Sequence, residues 1–414
     1  MPVDRSTFDL RGNISGALTV ASQDGTNWVG QGTIKPSDVN LNNFNAGNGS
    51  FQLSLAGDIV SLHGGIGSTA GFAEVTQMSY NLTDQVLLPS EILVSNLGVA
   101  EALLTVSNKI ETDNRQIRRI LDTLSGTLSA DLTIQGPISD ILVDVKSAKV
   151  TEFAALGQPQ GEISASGSWR KESWTLTQSS WRRRLGVAFV RGSSDSVEGF
   201  NLQGDLTNFD PSVATLFFED APEIGALLTS SFILSGKGDD IEGRGTLNLR
   251  NIQVRGKNDQ LVEVPVSLDS QEIELNDGSI SAKANVSFDG LAGQLTATIP
   301  LSIFDPKPAG KFEAEIVAED RPISDLEKYL SGIDLKQSTG LVKARVQVSG
   351  TAEQFDIDGT ASFGTADSPG RLVFPTTNTA LSQVLVSASA SKGNLRLVAS
   401  ANSSHGGEVN ADVT

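Results

Sequence analysis

Hydrophobic and polar residues alternate with a period of two through most of the chain. That period puts every second side chain on one face of a β-strand. The run Ile280, Ala282, Ala284, Val286, Phe288 reaches Asp289-Gly290 and resumes as Leu291, Gly293, Leu295, Ala297, Ile299. Ile273 and Leu275 lead into Asn276-Asp277-Gly278 in the same way, so two successive hairpins are predicted. The opening behaves alike: Phe8, Leu10, Gly12, Ile14, Gly16, Leu18 and Val20 precede Asp24-Gly25, then Trp28, Gly30, Gly32 and Ile34. One apolar face and one wet face predict antiparallel sheet covered on a single side.

A longer period lies over this alternation. Leu128, Ala130, Leu132, Ile134, Gly136 match Leu228, Ser230, Phe232, Leu234, Gly236, and both match Val342, Ala344, Val346, Val348, Gly350. The closing glycines are 100 and then 114 residues apart. Each copy follows a short amphipathic stretch. Ile117, Ile120, Leu121 and Leu124 have helical spacing; Val213, Leu216 and Phe217 follow Asp210-Pro211; Ile323, Leu326 and Leu330 follow Arg321-Pro322. A short helix is therefore predicted ahead of each copy. The units expected are 1–112, 113–209, 210–322 and 323–414, joined in one continuous sheet rather than separate globules.

Composition agrees with this picture. Among 414 residues, 41 Gly and 14 Pro suit short strands and tight turns better than helices. Aromatics are only 6%, which argues against thick globular cores. A net charge of −18 makes nucleic acid an unsuitable partner; it suits a β protein that must avoid edge-to-edge association. There is no cysteine, so disulfides and thiolate metal sites are excluded. The first residues, Met1-Pro2-Val3-Asp4-Arg5, form neither a leader peptide nor an anchor. Strand pattern runs to both ends, and the chain is read as an internal or near-C-terminal fragment of something longer.

Reactive chemistry has little material. The two histidines, His63 and His405, are far apart; a histidine triad or metal site is not expected, and His63 in Leu62-His63-Gly64-Gly65 reads as a strand-end or turn residue. Asp239-Asp240 and the pair Asp356 and Asp358 lack calcium-loop spacing and read as turns and strand faces. No phosphate loop occurs. No cofactor and no catalytic residue is expected. One basic cluster interrupts the acidic background: Arg170, Lys171, Arg182, Arg183, Arg184 and Arg191, interleaved with Trp169, Trp174 and Trp181. Arg182, Arg183, Arg184 and Trp181 could meet lipid head groups or a partner; the reading preferred is two exposed hairpins whose Trp rings pack on the sheet edge under Arg stems.

The helix-plus-strand unit, seen in Ser125-Gly126-Thr127-Leu128-Ser129-Ala130-Asp131-Leu132-Thr133-Ile134-Gln135-Gly136-Pro137 and again in Thr339 to Gly350, resembles the TamB family of bacterial envelope proteins and, more distantly, their AsmA-like relatives. The resemblance implies an elongated, strongly curved, all-β antiparallel sheet, folded like a taco around an open apolar groove, with a few short helices between repeats. It further implies a periplasmic, envelope-spanning protein whose full length is anchored in the inner membrane. Such proteins are associated with lipid transport between membranes and with an outer-membrane β-barrel assembly partner. Phospholipid acyl chains would lie along the groove. The groove-lining residues expected are Leu128, Leu132, Ile134, Leu228, Phe232, Leu234, Val286, Phe288, Leu295, Ile299, Val342, Val346 and Val348.

Alternation alone leaves a filled sandwich open beside the groove. Small inward residues such as Ala282, Ala284, Gly293 and Ala297 favour the groove. A surface-exposed adhesin or stalk is the alternative function; it would require coils of roughly 20–30 residues. A carbohydrate-active enzyme would need paired carboxylates in an aromatic cleft, and aromatics are sparse.

Overall fold

The structure, a computed structural model, describes residues 10–22, 27–41, 44–101, 103, 121, 123–216, 224–238, 240–255, 261–304, 310–327, 330–351, 354–391 and 394–413. The chain is all-β and antiparallel, and its contacts divide it into two units, Met1–Gly238 and Asp239–Thr414.

The first unit is a meander. Its strands are β1 Leu10–Ser22, β2 Trp28–Leu41, β3 Phe44–Ala56, β4 Ile59–Ser68, β5 Gly71–Asn81 and β6 Val86–Gly98. They continue as β7 Ser125–Pro137, β8 Leu142–Ala155, β9 Gln158–Arg170, β10 Ser173–Arg183, β11 Gly186–Asp195, β12 Gly199–Phe209 and β13 Ile224–Lys237. Each pairs antiparallel with its neighbours in the chain. Turns of a few residues join most of them, as antiparallel pairing allows; longer segments lead from β6 to β7 and from β12 to β13.

The second unit holds β14 Asp240–Arg255, β15 Leu261–Glu263, β16 Val266–Asn276, β17 Ser279–Phe288, β18 Leu291–Pro300 and β19 Phe312–Pro322. Then come β20 Leu341–Gly350, β21 Phe355–Phe363, β22 Gly370–Phe374, β23 Thr379–Ser391, β24 Asn394–Ser403 and β25 Glu408–Val413. Two short strands interrupt the meander. β15 shares β14 with β16, and β22 shares β23 with β21. The predicted hairpins at 276–278 and 289–290 join β16 to β17 and β17 to β18. Asp277 and Asp289 hold the left-handed backbone such turns require, at φ 49° and 48°.

The three matching sequence segments are whole strands, β7, β13 and β20. The lead-ins differ from expectation. Pro211–Leu216 and Ile323–Leu326 are 3-10 helices rather than α-helical stretches, and Leu330 lies beyond the second. Four to six residues form too few hydrogen bonds to repay α-helix nucleation. Leu121 is helical and the Leu124 N–H donates to the Leu121 carbonyl at 3.4 Å. Phe8, Asp24-Gly25, Ile117, Ile120, Phe217 and Asp239 lie outside the described residues.

Bulges break the ladders at consistent places. Asp38, Asn96, Glu152 and Asn208 have φ near 50° and sit late in β2, β6, β8 and β12. Those four strands run the same way, so these four bulges share one rim of the first unit, while other register shifts lie mid-strand, as in β4 and β5. Asn and Asp tolerate this conformation best. Glycine on the neighbouring strand makes room for it. A Cβ on Gly71 would lie 2.6 Å from Leu97 Cα beside the Asn96 bulge, and one on Gly126 would lie 2.9 Å from the Thr151 carbonyl oxygen beside Glu152. Bulges raise local twist and bend the strand that carries them.

Candidate functional site: an apolar sheet face

Register turns the alternation into continuous rows. In the first unit Gly16, Ile34, Phe51, Gly64, Val75, Ile92, Leu132, Val145, Gly167, Leu176, Gly192, Leu202 and Leu234 are successive cross-strand partners, one per strand from β1 to β13. No polar side chain interrupts this row. A parallel row on the same face runs Gly49, Ile66, Ala73, Val94, Ala130, Ala148, Ala165, Ser179, Val190, Gly204, Phe232. Leu97, Leu128, Val150, Ile163, Trp181, Ala188, Leu206 and Ser230 form a third. Ser90, Ile134, Val143, Trp169, Trp174, Ser194, Phe200 and Gly236 form a fourth. From β6 to β13 the four rows cover about 20 Å along the strands and about 34 Å across them. That footprint of roughly 700 Å² is lined by apolar residues and glycine except at Ser90, Ser179, Ser194 and Ser230.

The expected groove residues of this unit, Leu128, Leu132, Ile134, Leu228, Phe232 and Leu234, all belong to this face. Each is half-buried, not buried. In the second unit Val286, Phe288, Leu295, Ile299, Val342, Val346 and Val348 also share one face. Register links Ala284, Leu295, Ile316, Val346 and Gly359, and beside them Ala282, Ala297, Ala314, Val348 and Ile357. Phe288 and Val346 are 47% and 40% exposed. Inward side chains of a two-sheet sandwich would be buried; Phe288 and Val346 keep substantial contact with solvent, so no second layer among the described residues covers them.

One part of the second unit is covered. Ile323, Phe363, Val384 and Ala401 are buried together, with Leu330, Leu335, Val342, Leu372, Leu381 and Val386 packed around them. The segment after β19 lies over the sheet here. Thr339 and Arg371 exchange backbone hydrogen bonds at 2.9 and 2.7 Å, and the Ser338 hydroxyl accepts the Val373 N–H at 3.0 Å.

The basic cluster divides in two. Trp181 packs edge-on against Phe153 and Phe209, with centroids 6.4 and 5.2 Å away, and its Nε1–H donates to the Gln160 carbonyl at 2.6 Å. Arg183 is buried: its guanidinium donates to the Asp210 carbonyl and the Ser212 hydroxyl, both at 3.3 Å, with the Asp210 carboxylate 3.7 Å away. Burial pushes this guanidinium below its ordinary pKa, Asp210 pulls it back, and neighbouring Arg184 adds to the lowering. Arg183 is thus spent on fixing the 3-10 turn at Pro211. Arg184 reaches the same carboxylate at 2.7 Å from an exposed position, and Arg182 is exposed. Trp169 and Trp174 are direct cross-strand partners at the other rim of the face.

His63 is not at a strand end. It lies mid-strand in β4, at the register shift between Leu62 and Gly64. Asp356 and Asp358 are exposed on β21, and Asp240 begins β14. Among the described residues no three His, Asp or Glu side chains gather as a metal would require. No helix among them is long and apolar enough to cross a membrane. No family model matches the chain, and no curated protein matches it.

Proposed function

We propose that this chain is a segment of a TamB-like bacterial envelope protein whose apolar sheet face accommodates phospholipid acyl chains. The observation that supports this reading is the unbroken apolar row across β1–β13, open to solvent at every position but Val75. An acyl chain gains about 0.8 kcal/mol for each CH₂ removed from water, and a row without polar side chains imposes no desolvation cost on it. Because the row has the same character at each strand, a chain could shift along it without crossing a polar barrier. In this reading the protein works non-catalytically in the periplasm, tethered to the inner membrane, and its partner at the far side is an outer-membrane β-barrel assembly protein.

The reading predicts a face-specific contact. A photo-crosslinking residue placed at Leu132, Leu202 or Leu295 should label phospholipid from phosphatidylethanolamine–phosphatidylglycerol vesicles. The same residue at Thr133 or Thr296, on the opposite faces, should not. Equal labelling on both faces, or none on either, would remove the proposal.

A further inference from the structure

The polar face of the first unit carries a cavity of about 760 Å³ that spans β2 to β5. Gln31, Thr33, Gln52, Ser54, His63 and Gln77 supply its polar wall. Register brings them together: Gln31, Ser54 and Ser61 are successive partners, as are Thr33, Gln52 and His63. The bulges that shift β5 against β4 and β6 place Thr76 and Gln77 opposite His63. The cavity is therefore a product of those bulges, not of loops.

Two features characterise this patch. The first is charge. The chain is 19% Asp, Glu, Lys and Arg, yet among the described residues none of these lines the cavity. The second is unspent hydrogen-bonding capacity. Some polar-face side chains answer each other across strands: Lys146 with Glu91 at 2.8 Å, Lys149 with Glu162 at 3.1 Å, Asn402 with Gln383 at 2.6 Å. Here the side chains of Gln31, Thr33, Gln52, Ser54 and Gln77 have no hydrogen-bond partner among the described residues. His63 is oriented, its Nδ1 standing 2.6 Å from the Thr76 carbonyl oxygen. A carbonyl oxygen only accepts, so Nδ1 carries a proton and Nε2 is the ring atom left facing the cleft's ligand.

We infer that this cleft binds a neutral oligosaccharide. Three carboxamides, each both donor and acceptor, match the paired donors and acceptors of adjacent sugar hydroxyls, and hydroxyls at the flanks extend the match. The volume lies within the range of small-ligand sites. With no Lys or Arg among the described residues of its wall the cleft lacks the usual partners of sulfate and phosphate, and with no carboxylate pair among them it lacks the machinery that cleaves a glycosidic bond. It binds and does not turn over.

Titration calorimetry on the full 414-residue chain with chitotetraose and maltotetraose tests this. At least one sugar should bind, and Gln52→Leu and His63→Leu should each weaken it about fivefold or more. Both side chains are exposed, so these variants should keep the wild-type circular dichroism. Gln294→Leu, on the polar face of the second unit, should bind as the wild type does. Absence of binding by both sugars would overturn the inference; so would equal weakening by the control, or tighter binding of a sulfated oligosaccharide. None of these outcomes bears on lipid labelling of the opposite face.

Discussion

Single residues decide where this sheet is pinned. Arg183 and Asp210 are an ion pair with little access to water, and removing one partner strands the other. Asp210→Asn should therefore cost about 3 kcal/mol in urea denaturation, whereas exposed Arg182→Ser should change little. A similar cost for both would show that the Asp210 contact is not the source. Asp195 works differently. Its carboxylate accepts the Val197 and Glu198 N–H groups at 2.7 and 2.6 Å, and those bonds hold its pKa below the usual value. A carboxyl with a depressed native pKa stabilises fully above its unfolded value, about 3.9, and loses that contribution as pH falls through the native one. Hydrogen exchange at Val197 and Glu198, corrected for intrinsic rates, should accelerate below about pH 4. Asp195→Ala should show fast exchange already at neutral pH; protection equal to wild type would contradict the role given to this carboxylate.

At the scale of elements, what was legible in the sequence was whatever depends on neighbours in the chain. Alternation in Ile280–Phe288 and Leu291–Ile299, with Asp-Gly between, specifies two strands and a turn by local chemistry alone. The helical lead-ins were legible in place but not in kind. Pro211 and Pro322 mark where the strand stops, but spacing over so few residues does not distinguish an α-helix from a 3-10 turn. Bulges were not legible, because they arise only when two strands are brought side by side. Gly126 illustrates this: in sequence it is one glycine among many, and its φ of 141° next to the Glu152 bulge emerges only from pairing. Gly126→Ala should cost about 2 kcal/mol, read as a lower denaturation midpoint, while Gly293→Ala, with no positive φ, should cost less. The polar cleft around His63 was hidden for the same reason. Gln31, Gln52 and His63 are distant in sequence, and register alone makes them neighbours.

At the scale of each unit, the balance between open face and closed core has a measurable sign. Leu132 is half-buried on the open face, so Leu132→Ala leaves no sealed cavity and should cost about 1 kcal/mol. Phe363 is 8% exposed inside the covered cluster of the second unit, and Phe363→Ala should cost about 3 kcal/mol or more. Near-equal losses would mean that the open face is filled by something. The alternation that revealed both strands could not tell these cases apart, since an inward residue looks the same in sequence whether or not a segment such as Ile323–Gly340 folds over it.

In the first unit every strand touches chiefly the strand before it and the strand after it. Stability in such an array is a sum of nearest-neighbour terms and not the property of one shared interior. Under load applied at its ends, the first unit should therefore not give way in a single event. It should come apart as a zipper does, hairpin by hairpin, in a train of small force peaks, with the remaining strands still paired and their apolar row merely shorter.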